Sequence, residues 1–231
     1  MKTGAEIIEE AKQIFKTQWS KRNGDKVPEP EDLQLGNDAV LLEGTVLYAD
    51  LVDSTGLVQG FKDWFAAEVY KVYLKSACYL IQNNNGNITA FDGDRVMAVY
   101  VGTSKNTSAA KTALQITYIV KELNSLIKES YPSTAYTLRQ SLGIDTSAHF
   151  IARTGVRKYN DLVWVGRSAN YASKLCGLAD PTYPVHITEE VFGNLSEETK
   201  YGGNPRQSMW EKIMWQARGI PVYRSSWYWK V

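Results

Sequence analysis

The sequence predicts an α+β fold, and three observations carry that expectation. Short β-rich apolar runs alternate with segments of helical periodicity, one pair of runs is joined by a tight Asp-Gly-Asp turn, and no internal repeat or low-complexity tract interrupts the series. In chain order the elements read βαββαβ, the ferredoxin-like arrangement, with further elements toward the C-terminus.

The elements follow in order. Met1–Ser20 carries Ile7, Ile8, Ala11, Ile14 and Phe15 at helical spacing with Glu9, Glu10 and Lys12 between them, an amphipathic helix rather than the unbroken apolar block of a secretory signal. Lys21–Asn37 is polar, holds two of the seven prolines and reads as a linker, so residues 1–36 are expected to precede a main domain over 37–231. Gly44–Asp53 (GTVLYADLVD) reads as a strand, Trp64–Asn83 as a helix and Asn83–Gly86 as a turn. Asn87–Phe91 and Arg95–Val101 read as strands around Asp92-Gly93-Asp94, where glycine supplies positive φ. Ser108–Lys128 is a long helix. Leu138–Ile151 and Leu162–Val165 are strands joined through a loop at Gly155–Lys158, Ser168–Leu178 a helix, Val185–Thr188 a strand, and the tryptophan-rich Val222–Lys230 a last strand.

Composition excludes several classes. With 26 basic and 25 acidic residues the 231-residue chain has net charge +1, which argues for neither a nucleic-acid nor an anionic membrane partner. Two cysteines, Cys78 and Cys176, stand far apart with no CxxC, and two histidines occur with no HExxH. A disulfide framework, a structural zinc site and a histidine metalloprotease are therefore unsupported. No stretch approaches the roughly 18 apolar residues of a membrane span, so a soluble cytoplasmic protein is expected.

Two acidic positions stand out. Asp50 ends the strand VLYAD and Asp94 closes the hairpin FDGD. Each alone reads as an ordinary turn residue. In a βαββαβ fold the end of the first strand lies beside the central hairpin, so the pair can face each other and would repel unless a cation sat between them. Oxygen-only ligands favour Mg²⁺ or Mn²⁺. After Asp50 the chain turns through Leu51, Val52, Asp53, Ser54, Thr55 and Gly56 into a helix. Asp53, Ser54 or Thr55 can cap that helix, and the turn's N–H groups can also receive phosphate. Asn170 and Lys174 are one helical turn apart and share a face. An early-helix capping amide and a solvated lysine remain open readings for them.

Together these segments resemble the class III nucleotide cyclase catalytic domain, from about Gly44 to the C-terminus. VLYADLVDST resembles that family's first strand, which implies a metal-binding carboxylate at Asp50 and a second-metal carbonyl at Leu51. FDGDRVMAVYVG resembles the hairpin with the other metal-binding carboxylate, Asp94. SLGIDTSAHFIARTG resembles the G-I-x-x-G strand, with Ser147 where glycine is usual, and VGRSANYASKL places the ribose-orienting amide at Asn170. The transition-state arginine of the family falls on Lys174, which keeps the charge and loses the bidentate fork.

The base-reading positions depart from the purine cyclases. They fall on Ala90 and Val163, neither of which can hydrogen-bond a purine edge through its side chain. Tyr48 shares the side-chain direction of Asp50 and is either a phenol narrowing a base pocket or a core aromatic. This pattern is similar to the bacterial antiphage pyrimidine cyclases. The resemblance implies conversion of UTP or CTP to the 3′,5′-cyclic nucleotide with two divalent cations, Mg²⁺ or Mn²⁺. It implies a homodimer with shared active sites, no nucleic-acid or membrane partner, and a separate effector that senses the cyclic nucleotide. A purine cyclase, a non-catalytic nucleotide-binding module, and a different ferredoxin-like phosphoryl-transfer enzyme are the alternatives; the last lacks its GG[DE]EF signature here.

Overall fold

The computed structural model describes residues 1–178 and 180–231. The chain runs α1 (Gly4–Lys16), β1 (Ser20–Asn23), a 3-10 turn (Pro30–Asp32), β2 (Asp38–Leu51), α2 (Ser54–Gly60), α3 (Asp63–Asn83), β3 (Asn87–Asp92) and β4 (Arg95–Tyr100). It continues through α4 (Lys105–Ser130), β5 (Gln140–Val156), β6 (Tyr159–Gly166), α5 (Arg167–Cys176) and β7 (Val185–Thr188). Short elements follow, α6 (Glu189–Gly193), α7 (Glu197–Lys200), β8 (Tyr201–Gly202) and β9 (Gln207–Ser208), before β10 (Glu211–Trp215) and β11 (Ile220–Ser225). Two units result, Met1–Glu43 with Ala148–Gly166, and Gly44–Ser147 with Arg167–Val231.

In the first unit Thr3 and Glu6 cap α1 reciprocally, each side chain taking the other's backbone N–H. Ile7, Ile8, Ile14 and Phe15 on that helix are exposed. The segment expected to be a linker is ordered: β1 pairs in parallel with residues 38–41, Arg22 binds Asp38 at 2.6 Å, and Leu33 is buried. Its polar side chains are partners in ion pairs and turns, which composition alone does not distinguish from a free connector. β5 and β6 pair from His149↔Gly166 to Val156↔Tyr159, so the expected loop shrinks to Arg157 and Lys158, with Lys158 at φ 76°.

In the second unit the strands lie in the order β10-β11-β7-β5-β2-β4-β3. The inner four, β5-β2-β4-β3, with α3 after β2 and α4 after β4, are the ferredoxin-like set of an α+β fold. Strand periodicity divides the sheet into two faces. Leu47, Ala49 and Leu51 of β2 and Val96, Ala98 and Tyr100 of β4 join residues of α3 and α4 in one buried core. Each fully buried aliphatic side chain there contributes about 1.5–3 kcal/mol. Tyr48 and Asp50, and Arg95 and Met97, alternate with those residues and turn to the other face. β3 joins that face through a bulge. Ile88 pairs with Ala98 and Ala90 with Met97, leaving Thr89 as the extra residue and turning Ala90 and Asp92 toward the side of Met97 and Arg95.

The C-terminus departs from expectation. The last strand ends at Ser225 rather than Lys230, because Ser225 Oγ accepts the Trp227 N–H and the Trp229 N–H donates to the Leu114 carbonyl of α4. Tyr228 stacks on Tyr118, so this tail packs on a helix instead of extending the sheet. Trp210 and Trp215 are buried.

α5 lies directly on β5. A Cβ on Gly143 would stand 2.0 Å from the Ala172 carbonyl oxygen and 2.5 Å from the Cys176 nitrogen, both backbone atoms of α5. No side-chain rearrangement relieves such a clash, so Gly143→Ala must displace the helix. That variant is expected to lose about 1–3 kcal/mol of stability, as overpacked sites do. Denaturant unfolding checks this; an unchanged midpoint would show the close approach to be unimportant.

Candidate active site

The site lies on the sheet face opposite the α3–α4 core. Tyr48, Met97 and Ala90 form one cross-strand row over β2, β4 and β3, and Asp92 pairs with Arg95 in the next row. These residues, with Ser173 of α5, line a small cavity of about 130 Å³. Tyr48 is half-buried, and the Arg95 guanidinium lies 5.7 Å from its ring centroid. Arg95 also donates to Asp92 at 3.1 Å and to the Ser173 hydroxyl at 3.4 Å, which ties the hairpin to α5.

Asp50 stands one position from the end of β2, half-buried. Burial pushes its pKa up, the nearby Asp94 carboxylate pushes it further, and Arg95 and a hydrogen bond from the Leu51 N–H pull it back. The two carboxylates are therefore electrostatic neighbours, as their positions at a strand end and a hairpin tip predict. Tyr73 of α3, itself buried, donates its hydroxyl to the Asp50 carbonyl at 3.2 Å and fixes the strand end from the core side. Leu51 is buried in that core. Asp53 adopts φ 61° and caps α2 by accepting the Gly56 N–H. The cap occupies one donor of the turn expected to receive phosphate, beside half-buried Ser54 and exposed Thr55. A second cavity of about 300 Å³ adjoins this turn, lined by Asp53, Gly56, Tyr136 and Arg139 among others.

The remaining candidates are placed as follows. Asn170 and Lys174 are exposed on α5, one turn apart. Val163 lies on β6 in the first unit, 40% exposed and opposite Ala152. Among the described residues no group of three or more His, Cys, Asp or Glu side chains is disposed to hold a metal, so a cation at Asp50 and Asp94 would need backbone or substrate oxygens as further ligands. Arg95, Ser173 and Tyr73 were not singled out in the sequence. The basic residue directly after the DGD turn was the available signal for Arg95, whereas Ser173 and Tyr73 depend on helix packing.

The fold defines the class of protein. It is the fold of the class III cyclase catalytic domain. The adenylyl cyclase CyaB from P. aeruginosa superposes with TM-score 0.70 at 18% identity, covering 81% of this chain and 95% of that one. The guanylyl cyclase Cya2 superposes with TM-score 0.68 at 14% identity, covering 82% and 94%. No protein-family model matches. Curated relatives are closer in sequence. Proteins named uridylate cyclase from Xanthomonas perforans and Burkholderia cepacia are 45% and 44% identical over 221 residues, covering 94% and 95% of both chains respectively. One from Rhodovulum sp. (strain MB263) is 34% identical over all of this chain and 98% of its own. The chain belongs to this uridylate cyclase family and is a nucleotide cyclase.

The raised pKa of Asp50 has a measurable consequence. Its ionised form is disfavoured in the folded state, so ionisation costs stability as pH rises from the ordinary 3.8 through the raised folded value. Asp94→Asn removes one repelling charge. At neutral pH in chelator it is expected to raise the melting temperature by about 1–4 °C, for about 0.5–1 kcal/mol of relieved repulsion. Added Mn²⁺ is expected to stabilise the wild-type chain more than this variant. Equal stabilisation of both by Mn²⁺ would show that Asp94 holds no cation.

Proposed function

We propose that this cyclase converts UTP to cyclic UMP and pyrophosphate, at Asp50, Asp94 and the cavity beside them, in a domain spanning 37–231. The cavity carries the reading. At about 130 Å³, floored by Tyr48, Met97 and Ala90, it is small for a base site. A small ring suits it better than a purine. Neither Ala90 nor Val163 offers a hydrogen bond to a purine edge. Arg95 supplies only N–H donors, which complement the carbonyl oxygens of uracil and oppose the exocyclic amine of cytosine.

The donor set of Asp50, Asp94 and the Leu51 carbonyl is all oxygen, which fits Mg²⁺ or Mn²⁺, and the mutual repulsion of the two carboxylates favours bound cations. Two such ions would supply charge stabilisation at the triphosphate and lower the pKa of the 3′-hydroxyl. The chain's own groups do the rest. Tyr48 and Arg95 hold the base, and the turn at Asp53, Ser54 and Thr55 receives the phosphates. Asn170 orients the ribose, and Lys174 offsets charge developing on the α-phosphoryl group as the leaving pyrophosphate departs. Asn170 and Lys174 are exposed and absent from the lining of the Tyr48 cavity, which supports a homodimer in which α5 of one protomer completes the partner's site. The uncovered apolar residues of α1 offer contact area to a second copy. In this reading the product is a diffusible signal in antiphage defence, sensed by a separate effector. Among the described residues no helix is long and apolar enough to cross a membrane.

Competition among the four nucleoside triphosphates with Mn²⁺, read by chromatography, tests the substrate. Cyclic UMP is expected to dominate, with about tenfold loss in Arg95→Ala as a half-buried charged hydrogen-bond donor is removed. A dominant cyclic AMP product would refute the reading. The shared site has its own test. Asp50→Ala and Lys174→Ala are each expected to fall to about 1% of wild-type turnover or below, and mixing them should restore a larger fraction through the one intact site of each mixed dimer. Confirmed subunit exchange without any recovery would assign a complete site to each protomer.

A further inference from the structure

Alternate residues of β5 form a track along the length of α5. Ser141 donates its hydroxyl to the Cys176 carbonyl, and the Cys176 thiol donates to the Ser141 carbonyl at 2.9 Å, at the helix C-terminus. Gly143 is bare where the helix backbone passes, as its clash with an added Cβ requires. Asp145 and Ser147 meet the opposite end. Asp145, 0% exposed, receives Arg167 Nε at 3.0 Å and Nη2 at 3.1 Å, and the Thr188 hydroxyl at 2.6 Å. The same Nη2 reaches the Thr146 carbonyl at 2.7 Å, and Glu190 flanks it. Ser147 Oγ accepts the Ser168 N–H at 3.0 Å.

An arginine at the first position of a helix stands at the wrong end of the helix dipole. A carboxylate buried without a cation would be costlier still. Each charge is therefore intelligible only with the other, and the planar fork fixes the direction of the helix start as a single ammonium could not. Ser147, which replaces the usual glycine of the resembled motif, adds a hydroxyl that binds the next N–H along.

We propose that Asp145 and Arg167, with Ser147, are positioning residues for cyclisation. They set the axial and rotational placement of α5 and so aim Asn170 at the ribose and Lys174 at the reacting phosphate. This inference rests on the role given to Lys174 above. The clamp touches neither base nor metal ligands, so its loss should act on turnover more than on substrate affinity.

The test compares Arg167→Ala, Arg167→Lys and Asp145→Asn in the full chain with UTP and Mn²⁺. All three are expected to lower kcat by about 10–100-fold, the scale of a misplaced catalytic group, while KM changes no more than about threefold. Arg167→Lys keeps charge and chain length without the fork, so it should hold its melting temperature and not recover kcat. If Arg167→Ala or Asp145→Asn fails to fold, Arg167→Lys alone decides: wild-type kcat in it overturns the proposal. In a Lys174→Ala background, Arg167→Lys should cost less than about twofold more, because both act through one group. Independent, multiplying losses would overturn the clamp. Wild-type turnover in Lys174→Ala would instead overturn the reading of the reaction itself, and is distinguished by that single variant.

Discussion

Repulsion between the Asp50 and Asp94 carboxylates is the cost around which the open face of the sheet is arranged. Burial and a neighbouring like charge both raise the pKa of Asp50, and neither is relieved by another acidic residue's absence, since Asp92 stands near as well. The fold holds the groups there by covalent and packing constraint. Asp50 is pinned between a core residue on one side, Leu51, and the Tyr73 hydroxyl on its carbonyl. Arg95, projecting from the next strand, pulls the Asp50 pKa back down, and it simultaneously faces Tyr48 and Ser173. Charge compensation at Asp50 and the lining of the Tyr48 cavity thus share a guanidinium.

The two faces of the sheet have different physical characters. Toward α3 and α4 the residues are mostly aliphatic and aromatic, with one buried polar contact where Thr45 binds Asn106 of α4 and Thr146. Toward α5 they are serine, glycine, aspartate and serine on β5 and tyrosine, aspartate and arginine on β2 and β4, with Met97 and Ala90 the apolar members beside Tyr48. A helix that must present polar groups cannot be seated by apolar burial alone. Hydrogen bonds with defined direction fix its rotation, and a bare glycine lets the backbone come close.

The βαββαβ order was legible because long amphipathic helices and a DGD turn are strong local signals, and α3, α4, β7 and the hairpin lie where periodicity puts them. Asp50, Tyr48 and Asp94 could be related in advance because strand alternation and topology suffice to place them. What escaped depends on partners remote in sequence. The polar stretch around Arg22 owes its order to Asp38, and the tail after Ser225 leaves the sheet for a carbonyl on α4. Ser173 and Tyr73 carry no local mark at all, since their contacts arise only when two helices settle on opposite faces of one sheet.

Thr89 sits at a bulge, and this fixes how positions should be matched between relatives. Counting back from Gly93, the ladder is regular and the third residue, Ala90, falls on the face of Tyr48. Counting forward from Asn87 crosses the extra residue and assigns every later side chain to the wrong face. Length variation upstream of Thr89 therefore leaves the composition of the cavity face intact, whereas one residue inserted between Ala90 and the turn would exchange it for the core-facing set. In this fold the side chains that line the Tyr48 cavity can be exchanged by an insertion as well as by a substitution.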